Sequence, residues 1–299
     1  MSGRKHLLAA VAAAATLGIG LTRAAPGQVT VLPPGPRAPK SAPAPKPSSL
    51  PAGIPVATLV VLGSGVEKAD VTGAWKTAGD GERLRTGERV RTGPAAVVRL
   101  ELPWMALNLG SASELFVPPS PVLSAVLERG RAELFAEGTD LLKLRTPESE
   151  VRGRGRLVVR RERDTTLVMA MAGAFRVEGS GKFVSLAQGQ GLVVPAGAAP
   201  REPVDLPRPP DGVAPGADPV YVRQGQPLTV SFRSPRARHH LQVLAFEGAE
   251  IQVEGDVGAS PQAVRIPWLG TYRLLVSSID DRGLEGPPSA PGYAVVVEE

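Results

Sequence analysis

Short apolar-rich runs cut by glycine dominate the chain between residues 54 and 199. Val56–Leu62, Ala95–Leu102, Leu157–Val159, Thr166–Met171 and Gly191–Pro195 are such runs, and Gly73, Gly87, Gly110, Gly138, Gly173 and Gly189 are among the breaks. Runs this short, with turn signals about every ten residues, predict strands in a sandwich, roll or barrel. Leu123–Phe135 alone has the length for a helix, and Gly130 interrupts it. Beyond Val220 a second set of short runs follows. Leu228/Val230/Phe232 and Tyr272/Leu274/Val276 alternate with polar residues, as half-buried strands do. A stretch as short as 220–299 with that many runs suits a small immunoglobulin-like or fibronectin-like sandwich.

Two other segments lack such periodicity. Residues 25–53 carry Pro26, Pro33, Pro34, Pro36, Pro39, Pro43, Pro45, Pro47 and Pro51 and no acid. That composition cannot bury enough surface to offset ordering and favours extended polyproline II, a linker. A second Pro/Gly/Asp-rich break near 200–219 separates the two strand-rich regions. At the N-terminus, Arg4-Lys5-His6 run into the uncharged stretch Leu7–Leu21, shorter than the ~20 residues of a membrane-spanning helix. Thr22-Arg23-Ala24 then offers small residues for cleavage after Ala24, so residues 1–24 read as a signal peptide. The alternative is a retained N-terminal anchor.

Composition narrows the function. The 299 residues include no cysteine, which removes disulfides, thiol catalysis, thiolate metal sites and lipid attachment together. The formal charge is +5, and Arg4, Lys5 and Arg23 account for three of it, leaving +2 beyond the leader. The high pI therefore gives no case for nucleic acid as a partner. Enzyme chemistry has little to stand on. His239 and His240 are neighbours, so on a strand they point to opposite faces and do not chelate one metal; they read as an exposed strand start. Asp280, Asp281 and Glu285 lack the alternating acids of a calcium loop. Gly179-Ser180-Gly181-Lys182 lacks the leading glycine of a phosphate loop, since that position is Arg176, and reads as a hairpin turn. No catalytic, metal or cofactor residues are assigned.

One charge pattern carries a hypothesis. Arg145, Arg152, Arg154, Arg156, Arg160, Arg161 and Arg163 crowd together, and Arg152, Arg154 and Arg156 alternate. On an extended chain those three project from one face, where guanidinium groups suit carboxylate or phosphate. They are the candidate anion- or partner-binding residues. Glu148, Glu150, Glu162 and Asp164 supply neighbours for the competing reading, a solvated strand face.

The first region resembles the FecR domain of bacterial envelope proteins. The matching elements come in order: Gly65-Val66 and Trp75; Gly81-Glu82-Arg83-Leu84; Thr86–Gly93; Leu107-Asn108-Leu109; Leu127–Arg131 as a glycine hairpin; Thr146-Pro147; Val151-Arg152-Gly153; and a Gly189-Gln190-Gly191 close. Two departures stand out: Pro103-Trp104-Met105 where the family has an Asp-Gly-Ser turn, and Arg154 where it has threonine. Gly270–Val276 and Ile279–Pro288 look like the last strands of a fibronectin-type module. The resemblance implies an all-β chain: a FecR-like β-roll or sandwich over 54–199, then a small immunoglobulin/fibronectin-like sandwich over 220–299. It implies a non-enzymatic exported protein of the periplasm or cell surface, acting as a binding or scaffolding module for an envelope protein or an anionic cell-wall glycan. The alternative is a membrane-anchored regulatory sensor. Family members that regulate a sigma factor carry a cytoplasmic segment, and the six residues before Leu7 are too few to hold that partner.

Overall fold

The structure is a computed structural model. It describes residues 53–298, apart from 63, 103–104, 120–124, 137–141 and 247–250. The expected leader, the proline tract up to residue 52 and the Pro103-Trp104 turn lie outside the described residues.

The chain is all-β, and no helix occurs among the described residues. The first strands are β1 (Pro55–Leu62), β2 (Val66–Ala69), β3 (Trp75–Thr77), β4 (Arg83–Arg85) and β5 (Arg89–Thr92). Next come β6 (Val97–Leu102), β7 (Met105–Leu109), β8 (Glu114–Phe116), β9 (Ala125–Ala136) and β10 (Leu142–Arg145). Then follow β11 (Glu150–Glu162), β12 (Thr165–Gly179), β13 (Lys182–Leu186), β14 (Gln190–Pro195) and β15 (Val204–Asp205). All fifteen belong to one folded sheet with the path β15-β14-β12-β11-β10-β9-β7-β6-β1-β4. A side branch, β8-β5-β2-β3, leaves the path at β9, and the two arms share a core that includes Leu59, Leu84, Val90, Leu107, Leu134, Leu157, Val168 and Val177.

β9 makes this branching possible. Its first half pairs with β8 (Phe116 opposite Val126) and its second with β7 (Leu109 opposite Ala132). The change of partner falls at Gly130, whose φ is +87°, and a Cβ there would sit 2.1 Å from Ser113 Oγ. The Leu127–Arg131 segment is therefore a bend within one strand, not the hairpin its resemblance implied, and the described part of the 123–135 stretch, 125–135, belongs to that strand. The hairpin expected at Gly179–Lys182 is present. Ser180 (φ +47°) and Gly181 (φ +71°) form the two-residue loop between β12 and β13, the positive-φ pair that matches strand twist.

The second sandwich uses β16 (Asp211–Ala214), β17 (Val220–Arg223), β18 (Pro227–Arg233), β19 (Arg238–Ala245) and β20 (Ile251–Val257). It is completed by β21 (Gln262–Arg265), β22 (Gly270–Ile279), β23 (Glu285–Pro288) and β24 (Gly292–Val297). A three-stranded sheet, β16-β18-β21, faces a larger one, β17-β24-β22-β19-β20, with β23 added to β22. Leu228, Val230, Phe232, Leu241, Val243, Tyr272, Leu274 and Val276 fill the space between. Tyr272, near the start of β22, sends its hydroxyl back to the carbonyls of Trp268 (3.1 Å) and Leu269 (3.2 Å). That is the tyrosine corner of immunoglobulin-type sandwiches.

The segment expected as a linker, 200–219, is built into the fold. β15 adds to β14, β16 adds to β18, and the Pro207 carbonyl lies where a Cβ on Gly286 would be. Proline cannot donate to a ladder but suits an extended edge, so a proline-rich stretch can be ordered once it has a surface to lie on.

Replacing Gly130 by alanine should lower stability by about 2 kcal/mol, from forced positive φ, and by more if Ser113 cannot move aside. A urea titration of the two proteins measures it. Tyr272→Phe should cost about 1 kcal/mol in the same assay, the net worth of the lost hydroxyl bond.

Candidate functional site: one charged face, half covered

Strand alternation sorts the arginines of β11. Val151, Gly153, Leu157 and Val159 are buried, the apolar three within the first core, while Arg152, Arg154, Arg156, Val158 and Arg160 share the opposite face. The three candidate residues thus lie on one face, as the alternation predicts. Their environments differ. Arg152 and Arg154 are exposed, and Arg152 pairs with Glu150 two residues back. Arg156 is half-buried; its Nε donates to Glu133 Oε1 at 2.7 Å, and its guanidinium lies 5.4 Å from the Phe135 ring centre. Arg161, on the other side, grips Glu148 with two nitrogens and so belongs to the first unit's own packing.

Farther along, the second sandwich covers this face. Arg131 on β9 stands directly opposite Arg160 on β11. Like charges in that position repel and destabilise a sheet. The counter-ions come from across the interface. Glu285 on β23 takes Arg131 in a two-bond fork, both distances 3.0 Å. Asp256 on β20 takes Arg160 through both carboxylate oxygens, and Glu254 lies 3.4 Å from Arg131 Nη1. Gln242 donates to Glu133 (3.2 Å), and Glu254 accepts the Ser111 backbone N–H (3.1 Å). Apolar contacts flank the ions. Val158, Leu167 and Met169 pack with Leu284 and Leu206, and Val97 packs with Leu244, Ile251 and Leu275. A Cβ on Gly110 would fall 2.0 Å from Glu254 Oε1, so a side chain there would displace that carboxylate from the network.

The two histidines are not an exposed strand start, because both strand faces of β19 are covered. His239 points into the sandwich core, its ring 4.5 Å from that of Phe232, and burial pushes its imidazole below the ordinary value. His240 points into the interface, with Nδ1 3.0 Å from Asp256 Oδ1 and Nε2 3.6 Å from Glu254 Oε2, a charge contact longer than a hydrogen bond. Burial alone would lower its pKa; Glu285, with the Asp256 bond and Glu254 nearby, outweighs that and raises it to about 9. Burial likewise raises Glu254, but Arg131 and His240 bring it down to about 2. Glu285 is held low against burial by Arg131, His240 and Arg160. Arg131, Arg156, Arg160 and protonated His240 then balance Glu133, Glu254, Asp256 and Glu285. Glu285 is thereby committed to arginine, while Asp280 Oδ1 caps its own turn by accepting from Arg282 and Leu284.

Sequence reasoning found the arginines but missed Arg131, Glu133, Gln242, Glu254 and Asp256 as partners. Each alternates with apolar neighbours, a pattern identical to that of a solvated strand face. A cleft of about 260 Å³ opens beside the network, between Gly130, Arg131 and Arg160 on one side and His240, Glu254 and Asp256 on the other.

Glu285→Ala strands a buried guanidinium and should cost about 3–5 kcal/mol; with Arg131→Met added, the loss should be well below the sum of the single losses. Denaturant midpoints of the four proteins test the coupling. His240, whose pKa is raised on folding, contributes stability that is complete below pH 6.5 and lost as pH rises through about 9. Glu254 contributes stability that is complete above pH 4.5 and lost as pH falls through about 2. Chemical denaturation from pH 3 to pH 10 should show both limbs, and His240→Gln should flatten the alkaline one.

No protein-family model and no curated protein matches the chain. Two crystal structures of a candidate anti-sigma factor from Parabacteroides distasonis align with it. The first does so at 14% identity with a TM-score of 0.35, over 39% of this chain and 59% of that one. The second does so at 12% identity with a TM-score of 0.36, over 57% and 85%. The FN1–FN3 domains of chicken CNTN1 align at 12% identity with a TM-score of 0.25, over 85% of this chain and 98% of that one. At these scores the likeness is one of all-β build.

Proposed function

We propose that this chain is a non-enzymatic exported protein of the bacterial envelope, a FecR-like domain joined to a fibronectin-like domain, that serves as a binding or scaffolding module. The observation that carries the reading is the joint itself: Arg131 and Arg160 of one sheet neutralised by Glu285, Asp256 and Glu254 of the other. A module that presents surfaces to partners gains from holding its two domains in one fixed relation. The buried ionisable groups in this network are spent on one another, whereas general acid–base catalysis needs a group poised near the working pH beside a substrate atom. Export to the periplasm or cell surface rests on the basic, apolar and small-residue order of residues 1–24.

The test is crosslinking in living bacteria of a C-terminally tagged full chain, with sequencing of its mature N-terminus. An N-terminus at Ala25 and capture of envelope glycan or a surface assembly are expected. An intact N-terminus with a membrane-protein partner would replace this reading by the anchored sensor. Recovery from the cytoplasm, or cleavage of envelope polymers by the pure protein, would overturn it.

A further inference from the structure

The face that carries Arg131 and Arg160 continues past Arg156 to a stretch the second sandwich does not cover, and there the same problem recurs. Arg152 stands directly opposite Arg176 on β12, and Lys143 on β10 stands directly opposite Arg152 from the other side. Three cations thus lie in one row across three strands, spaced by the inter-strand distance of about 4.8 Å, an arrangement a sheet disfavours. Arg145 and Arg154 share this face in the neighbouring rows. Against Lys143, Arg145, Arg152 and Arg176 the described residues of this face offer two acids. Glu150 serves Lys143 (3.2 Å), Arg145 (3.8 Å) and Arg152 together, and Glu178 lies opposite Glu150. At Arg131 and Arg160 the fold answers a like-charge pair with carboxylates from a second body.

We propose that this uncovered row is the docking surface for a uronate-bearing polysaccharide, whose successive carboxylates meet Lys143, Arg152 and Arg176 as Glu285 and Asp256 meet Arg131 and Arg160. Charge complementarity sets the sign of the partner, and the fork geometry of guanidinium suits a carboxylate. The surface between the cations argues against a protein partner. Ala172, Ala174 and Ser185 are small, and the exposed Phe183 has Arg176 lying 3.7 Å over its ring. Protein interfaces centre on clusters of aromatic or aliphatic anchors, whereas this surface offers Phe183 alone among the described residues. A chain of sugars needs no such anchor, and its length lets it cross several strands.

This inference rests on the proposal that the protein is an envelope-binding module, and its test is separable from that one. The purified full chain is titrated calorimetrically with polygalacturonate, dextran, poly-glutamate and a DNA duplex at two salt concentrations. Binding to polygalacturonate, weakened by salt and absent for dextran, is expected, with poly-glutamate and DNA weaker. Arg152→Gln with Arg176→Gln should reduce the affinity roughly tenfold or more per guanidinium removed, while Arg223→Gln with Arg265→Gln, which makes the same change in net charge, should leave it unchanged. The Arg152/Arg176 variant should melt no lower than the parent, because a like-charge pair has been removed. Equal binding of poly-glutamate or DNA, no binding of polygalacturonate, or equal loss in both variants would overturn the inference. Failure here with an envelope-located, cleaved protein would leave the broader reading standing; a cytoplasmic protein would remove that reading first.

Discussion

Arg131 and Arg160 face each other on adjacent strands of the first sheet, and much of the interface follows from how that repulsion is resolved. Among the described residues of the first unit, the carboxylates near them are Glu133, 3.5 Å from Arg131, and the half-exposed Glu162 beside Arg160. The second sandwich supplies Glu285 and Glu254, which are buried, and Asp256, whose side chain is partly exposed. Neither half of the network is a comfortable surface alone. Separation would return two guanidinium groups and three carboxylates to water, where each is well solvated but the pairing geometry is lost. Docking therefore depends on all of these groups finding one another at once, which makes the relative position of the two sheets a property of the charges as much as of the apolar contacts.

Strand alternation explains what could be read in advance. A period of two places Arg152, Arg154 and Arg156 on one face and Leu228, Val230 and Phe232 on another, and both assignments follow from the residues alone. The same period is silent about what lies over a polar face. Gln242 and His240 alternate with Leu241 and Val243 just as they would beside water. Arg131 and Glu133 alternate with Ala132 and Leu134 in the same way. Their burial comes from residues more than a hundred positions away in the chain, and no local pattern encodes that. His239 and His240 show the limit most plainly: adjacency fixes that they point apart, and only the tertiary packing determines that both directions are closed.

Backbone constraints were legible in the same partial manner. Gly179-Ser180-Gly181-Lys182 announces its turn because the two positive-φ residues are local and sufficient. Gly130 signals a break, yet whether the chain reverses or bends depends on Ser113, whose Cα lies within 2.6 Å of the missing Cβ. The 200–219 stretch gives a similar lesson. Its proline content excludes a central strand, but it does not exclude an edge held by Gly191, Leu284 and Gly286, each of which contributes to the surface on which Leu206 and Pro207 rest.

The joint also shows a division of labour between forces. The flanking clusters, Val158, Leu167, Met169 and Leu284 at one end and Val97, Leu244, Ile251 and Leu275 at the other, supply non-directional attraction that would tolerate some sliding of one sheet over the other. Buried ion pairs add little net stability, because desolvation consumes most of the Coulombic gain. Their effect on alignment is larger. A shift of one residue on either side would present Arg131 with the opposite face of its partner strand and leave Glu285 and Glu254 buried beside no cation. A fourth cation is still needed to balance the four acids, and it has to fit between Glu254 and Asp256 without a long side chain. His240 meets that need with a flat ring whose two nitrogens reach one acid each, on condition that it keeps its proton.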